Sequence, residues 1–367
     1  YDGTTFGFIH EYDGVAEIQE IEVTGAASGS ETATVTLDGD AVSVNLTNIT
    51  VQGNAFEIVR DCKADATVGA KWRFEQIDDV VVCIAQSVGD KTGTMSFSSA
   101  TATASITEEA TGAAKTKDTV AQASWNQNTA PWLDPTKLNV YEIQFGYLGS
   151  VGPILSVLDP SSGQFTKCHQ IEWANNKTTP NFGNPTMKCG WTSASLGSSG
   201  TNLTVEGASI LGAVEGSVVK LNQSRALDNS KASITTTLTN ILTVRNRLTY
   251  GDRFNLGDIL PIKVSVDNDH NKGVLVELIK NATLGGVPNY QLVNENDSIL
   301  TYDTAATTVT GGEIIDEFTV GAGIEKQEEL LSLRQFLLPD ETLTIAVKTI
   351  SGTATNTTVA FSWFEEK

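Results

Sequence analysis

Short runs in which β-branched or large apolar side chains alternate with polar ones recur along this chain, and turn-forming residues interrupt them at roughly 10-residue intervals. The clearest run is TATVTLDGDAVSVNLT, starting at Thr32. Val35 and Leu37 precede Asp38-Gly39, and Val42 and Val44 follow it with the same alternation. Asp-Gly supplies the positive φ angles of a type I′ turn, so this stretch predicts a hairpin. EIQEIEVTGA (from Glu17), KWRFEQID, DVVVCIAQ, GTMSFSS and ATASITEE read as further strands. One stretch breaks the pattern. After Asn54, which reads as an N-cap, Ala55, Phe56, Ile58, Val59 and Cys62 fall at helical spacing, so AFEIVRDCKADA predicts a helix lying across the sheet.

With 367 residues the chain exceeds the ~100–200 residues of an ordinary domain, and three consecutive modules are expected. Residues 1–125 form a sheet-plus-helix module. Thr111 to Asn128 loses apolar periodicity, as a linker or crossing strand would. Residues 126–232 carry strands at VYEIQFGYL, ILSVLD, GQFTKCHQIEW, PTMKCGWTSAS, TNLTVEGAS and EGSVVKLN. Residues 233–367 carry them at NILTVRNRLTY, LPIKVSVD, KGVLVELIKNA, NYQLVNE, EFTVGA, TLTIAVKTIS and TTVAFSWFEE, with a short helix or turn at Glu325 to Leu338. The fold class is therefore mainly β: a small α+β N-terminal module followed by two antiparallel β-sandwich or jelly-roll-like modules. A 40% hydrophobic fraction is enough for such cores.

The formal charge of -20 repels phosphate backbones, so no nucleic-acid partner is expected. No apolar run approaches the ~20 residues of a spanning helix, and membrane insertion is not expected either. Eight Asn-x-Ser/Thr sequons, at Asn45, Asn48, Asn176, Asn202, Asn222, Asn281, Asn296 and Asn356, read as chance in a chain rich in these residues, although a glycosylating host could decorate them.

Catalytic patterns fail on spacing or context. His10, His169 and His270 lie on separate segments without a G-x-S-x-G elbow. Cys168 and His169 are adjacent in a predicted strand and point to opposite faces. The acids Glu108, Glu109, Glu328, Glu329, Glu365 and Glu366 read as solvated rather than as a glycosidase pair. Gly321 to Gly323 lacks the third glycine of a dinucleotide loop. No catalytic residue, cofactor or cofactor-binding residue is expected. Asp267, Asp269 and Asn271 have the alternate-oxygen spacing of a calcium loop, but Lys272 and Leu278 stand where an EF-hand needs Gly and Glu, leaving an ordinary turn as the favoured reading and an irregular metal site as the other. Cys62, Cys83, Cys168 and Cys189 are either buried thiols or disulfides formed within modules. Trp125 and Trp132 read as packing anchors between modules, while Asn289-Tyr290 and Asn181-Phe182 are turn pairs of the kind a sugar site uses.

The hairpin at Thr32, the helix after it, GDKTGTMSFSS and ASITEEATGA together resemble a module recurrent in tail and other structural proteins of tailed phages. LDPTKLNVYEIQFGYLG, HQIEWANNKTTPNFGNPT, TNLTVEGASILGAVEG, LTNILTVRNRLTYGD and the closing TVAFSWFEE resemble a family of uncharacterised virion-type proteins of marine tailed phages and large algal DNA viruses. The resemblance implies a non-enzymatic structural component of a virus particle, of fibre, spike, tail or capsid-associated type, located in the extracellular virion. It implies self-assembly as a homotrimer or other symmetric oligomer, contact with other virion proteins, and contact with a host-surface glycan or receptor. A carbohydrate- or receptor-binding adhesin module and a cell-surface layer or filament subunit are the alternative readings.

Overall fold

The computed structural model describes residues 6–12, 14–146, 150–178, 180–181, 190, 209–212, 223–251, 254–269, 272–294, 297–333, 335–352 and 355–366. It is mainly β, with antiparallel ladders and a small α+β start, as the alternation predicts. The chain divides into two compact units, each drawn from two stretches of sequence. The smaller comprises Tyr1–Gly14 and Ala114–Lys220, the larger Val15–Ala113 and Leu221–Lys367. This differs from three consecutive modules at 1–125, 126–232 and 233–367. Periodicity reports where strands lie but not which distant strand each one meets.

In the larger unit, the N-terminal part holds a four-stranded sheet ordered Trp72–Ile77, Val80–Val88, Ala16–Gly25, Thr103–Ala110. A three-stranded sheet of Asp40–Leu46, Glu31–Leu37 and Ser96–Ser98 accompanies it. The predicted hairpin is present: Leu37 faces Asp40, and Asp38 and Gly39 take φ of 51° and 83°. Inward Ala33, Val35 and Leu37 join Val42, Val44 and Leu46 in one buried cluster with Ile58 and Cys62 of the helix Val51–Ala64. That helix begins a turn earlier than predicted. Thr50, not Asn54, is the N-cap, its hydroxyl accepting from Gly53 N at 3.1 Å. Asn54 is fully buried in the first turn, where its Oδ1 accepts from Ala27 N and its Nδ2 donates to the Asn48 carbonyl, both at 2.8 Å.

The C-terminal part is sandwich-like. One sheet runs Gln223–Ile234, Thr355–Glu366, Asp258–Asn268, Ile324–Glu329. The other runs Gln291–Leu292, Leu300–Asp303, Thr239–Asn246, Thr342–Thr349, Val274–Lys280, Glu313–Val320. Val264, Val266, Val359, Phe361 and Trp363 from the first sheet and Val276, Leu278, Ile345 and Val347 from the second share one buried cluster. Each such fully buried side chain stabilises the fold by about 1.5–3 kcal/mol. Two expectations are corrected here. The segment from Glu325, expected as a short helix or turn, opens instead in the edge strand Ile324–Glu329, and only Leu331–Leu333 makes a 3₁₀ turn. Near-helical leucine spacing is also satisfied by a strand followed by a tight turn. The strand Gln223–Ile234 crosses the expected boundary at 232; its sequence QSRALDNSKASI has too few apolar residues to announce a strand.

In the smaller unit, Gly7–Tyr12 pairs with Thr116–Ala121, placing a strand where a linker or crossing strand is expected. Tyr141–Gln144, Ile154–Asp159 and Gln164–Gln170 form a three-stranded sheet. The strands expected at PTMKCGWTSAS, TNLTVEGAS and EGSVVKLN lie outside the described residues apart from isolated positions. Trp125, Leu155, Val157 and Cys168 make the buried cluster, with Phe6, Phe8, Trp132 and Tyr141 packed against it. Both tryptophans thus pack inside one unit, not between modules.

Candidate functional site

The most constrained polar constellation in the larger unit joins its two sequence-distant parts. Trp72–Ile77 has alternate residues Trp72 and Phe74 in the N-terminal core, and the pleat turns Glu75 to the opposite face. That face is also covered, so the Glu75 side chain is fully buried. Arg245, at the end of Thr239–Asn246, places Nη2 2.9 Å from Glu75 Oε1 and also donates to the Gln76 carbonyl at 2.5 Å. The other Glu75 oxygen accepts from Leu248 N at 2.8 Å. The Arg245 guanidinium lies 3.9 Å from the Tyr290 ring centroid, and the Tyr290 carbonyl accepts from Asp78 N at 2.7 Å. Beside this polar knot Leu248 is buried with Ile18, Val82 and Ile84. Burial pushes the Arg247 guanidinium below its ordinary pKa, against the pull of Glu75. A buried charge left alone costs several kcal/mol, so the pair and its hydrogen bonds fix the register between the two parts.

Alongside the joint runs a cleft of about 780 Å³, lined by Phe56, Lys63, Arg73, Arg245, Tyr290 and Asp340 among others. Lys63 Nζ is 3.3 Å from Asp340. Arg60, also on this wall, is paired with its neighbour Asp61 at 2.6 Å. Arg73 is exposed and stacks over Phe254 at 5.2 Å, with no carboxylate paired to it among the described residues. The Asn289-Tyr290 pair is thus part of the joint, and Tyr290 is buried there rather than offered to a sugar.

In the smaller unit, His10 stacks on Tyr12 at 4.9 Å, and Trp173 meets both rings edge-on. Lys177 Nζ lies 5.6 Å from the Tyr12 and Trp173 rings. His169 is buried, its Nδ1 accepting from Asn126 N at 3.3 Å, and burial lowers its pKa. Asn181 is buried and donates to the Val151 carbonyl at 3.0 Å; Phe182 and His270 lie outside the described residues.

The candidate calcium loop is not assembled as a ring of oxygens. Asp267 is exposed on its strand, in register with Thr358 and Glu325, and Asp269 is exposed beyond it. The buried Asn268 between them donates to the carbonyls of Lys272 and Gly321, at 2.6 and 2.9 Å, and so organises the turn. Asn271 lies outside the described residues, among which no group of three or more His, Cys, Asp or Glu side chains is placed to hold a metal ion.

Cys62 and Cys83 are free thiols in the same core, and Cys168 is a free buried thiol; Cys189 lies outside the described residues. Desolvation raises the Cys62 pKa to about 12 and pushes that of Cys83 well above the ordinary value. Glu108 and Glu109 are exposed, whereas Glu365 is buried, accepting from Ser298 Oγ at 2.6 Å and Trp363 Nε1 at 3.0 Å. The expectation that Glu365 is solvated is therefore corrected: its alternation with Trp363 turns it inward, where these donors satisfy it. Sequence reasoning missed Glu75 and Arg245 because each sits in an ordinary strand pattern. The one available signal is a charge on a strand whose opposite face is already committed to the core.

No helix among the described residues is long and apolar enough to cross a membrane. No protein-family model and no curated protein matches the chain.

Proposed function

We propose that this chain is a non-catalytic structural subunit of an extracellular assembly, with a virus particle foremost, and that it associates with copies of itself as a trimer or other symmetric oligomer and with other proteins of the particle. The observation that carries this reading is exposed apolar surface beside a strand edge in the smaller unit. In the larger unit, the outer strands Glu313–Val320 and Ile324–Glu329 carry exposed Ile314 and Ile324 but also Glu313, Asp316, Glu317, Glu325, Glu328 and Glu329, charges that deter pairing at a sheet edge. In the smaller unit, Leu138, Ile143 and Phe165 are 82%, 56% and 46% exposed, and Tyr141–Gln144 stands at a sheet edge among the described strands. Apolar side chains beside an available edge favour association. The buried Glu75–Arg245 joint supports a rigid building block. Negative-stain microscopy and light scattering of the purified chain test the proposal. Particles of uniform symmetry support it, and a monomer at all concentrations contradicts it.

A second reading, contact with a host-surface glycan, is favoured by the cleft carrying Arg73 and Lys63 in an otherwise acidic chain. Carboxylated or sulfated saccharides fit those charges. A glycan array on which such sugars bind and Arg73→Ala abolishes the signal supports this reading; an array with no binder removes it.

A further inference from the structure

The lining of the cleft in the larger unit carries four cations, Arg60, Lys63, Arg73 and Arg245, and two carboxylates, Asp340 and Glu341. Most of this charge is already spent. Arg245 is paired with Glu75 at 2.9 Å, Lys63 with Asp340 at 3.3 Å and Arg60 with Asp61 at 2.6 Å, while Lys280 holds Glu341 at 2.8 Å. Arg73 is the one cation of this lining with no carboxylate paired to it among the described residues. Its place is set by the strand Trp72–Ile77, where Arg73 and Glu75 are alternate residues on one face, Glu75 closed into the joint and Arg73 exposed. The Arg73 guanidinium lies over the Phe254 ring at 5.2 Å. An arginine held on an aromatic face keeps its planar N–H fork for a carboxylate, which it binds through two parallel hydrogen bonds.

A second donor stands on the same lining. Asn281, exposed in the turn after Val274–Lys280 with a φ of 53°, accepts from Thr342 N at 3.0 Å through Oδ1. That bond fixes the orientation of the amide and leaves Nδ2 as a donor with no protein partner among the described residues. We propose, resting on the glycan reading above, that the cleft takes an acidic saccharide of low charge density. A single sugar carboxylate sits on the Arg73 fork, within an otherwise neutral oligosaccharide whose oxygens accept from Asn281 Nδ2. A sulfate-rich chain places a charge on nearly every ring. Beyond Arg73 those charges would meet the carboxylates of Asp340 and Glu341, in a chain whose formal charge is -20, and like charges brought together oppose binding. A neutral stretch meets no such repulsion, and its hydroxyls are donors for those same carboxylates. The volume of about 780 Å³ lies within the ~300–1,000 Å³ of clefts that hold a small ligand, and the polar side chains of the lining suit a hydroxylated one.

The purified full chain is tested on an array of oligosaccharides that carry one uronate or sialate, their carboxyl-reduced neutral forms, and sulfate-rich chains of the same length. The expected result is binding confined to the single-carboxylate set, weakened about tenfold or more by carboxyl reduction and by Arg73→Ala. Arg73→Lys, which keeps the charge but not the fork, is expected to lose most of that affinity as well. Sulfate-rich chains bound through Arg73 as tightly as the single-carboxylate set would overturn the low charge density and leave the glycan reading standing. Carboxylate-dependent binding that survives Arg73→Ala would place the sugar elsewhere and overturn the proposal too. An array with no acidic binder would remove both. Because Arg73 is exposed, a thermal melt of Arg73→Ala that matches wild type separates lost recognition from lost fold.

Discussion

Removing the Arg245 guanidinium strands the Glu75 carboxylate in a site closed to solvent, so Arg245→Ala is expected to destabilise the larger unit by about 3–5 kcal/mol. The midpoint of urea unfolding measures it. Replacing both partners, Glu75→Leu with Arg245→Met, is expected to recover most of the loss, because the two charges of the buried pair are removed together. Glu31 makes a pH-dependent contribution of the opposite character, exposed to titration at the surface. Hydrogen bonds from the Ser99 hydroxyl, then from Ala102 N–H and the Thr101 hydroxyl, hold its pKa down to about 2 from an ordinary 4.5. Its folded pKa lies below the unfolded one, so its stabilisation is complete above pH 4.5 and is lost as the pH falls towards 2. An acid titration of wild type against Glu31→Gln is expected to show that part of the slope vanish in the variant. The Cys62 and Cys83 thiols, held protonated by burial, are expected to resist thiol reagents in the native protein and to react on denaturation.

Helix and hairpin ends show what local sequence can specify. Thr50→Ala removes the hydroxyl that accepts from Gly53 N and is expected to cost about 1 kcal/mol in a thermal melt. Gly39→Val forces a β-branched residue to a φ of 83° and is expected to cost at least about 1–2 kcal/mol, although open space surrounds the position. The hairpin at Asp38-Gly39 was legible because turn chemistry and alternation agree within a few residues. The helix was legible in its apolar face but not in its start, since Thr50 and Asn54 are both competent caps and only the contact of Asn54 with Ala27 separates them. Gln223–Ile234 was not legible, because its ladder with Thr355–Glu366 supplies a stability that its own polar sequence does not advertise. The joint at Glu75 and Arg245 was hidden for the same reason: each residue acquires its role from a partner more than a hundred positions away. The free Cys62 and Cys83 thiols fit one of the two readings the sequence left open.

At the scale of the whole molecule, the proposed association rests on the exposed apolar side chains beside a strand edge in the smaller unit of a chain with a formal charge of -20. Charges introduced on that surface, as in Leu138→Glu with Ile143→Glu, are expected to dissociate the assembly without lowering the stability of the larger unit, which shares no strand with that surface. The most direct test of the structural role is sedimentation equilibrium of the purified full chain over a wide concentration range. The proposed structural role predicts one discrete oligomer, with a mass that is an integral multiple of 39.0 kDa, reduced to the single-chain mass by the double variant. A wild-type chain that sediments at 39.0 kDa throughout would contradict it.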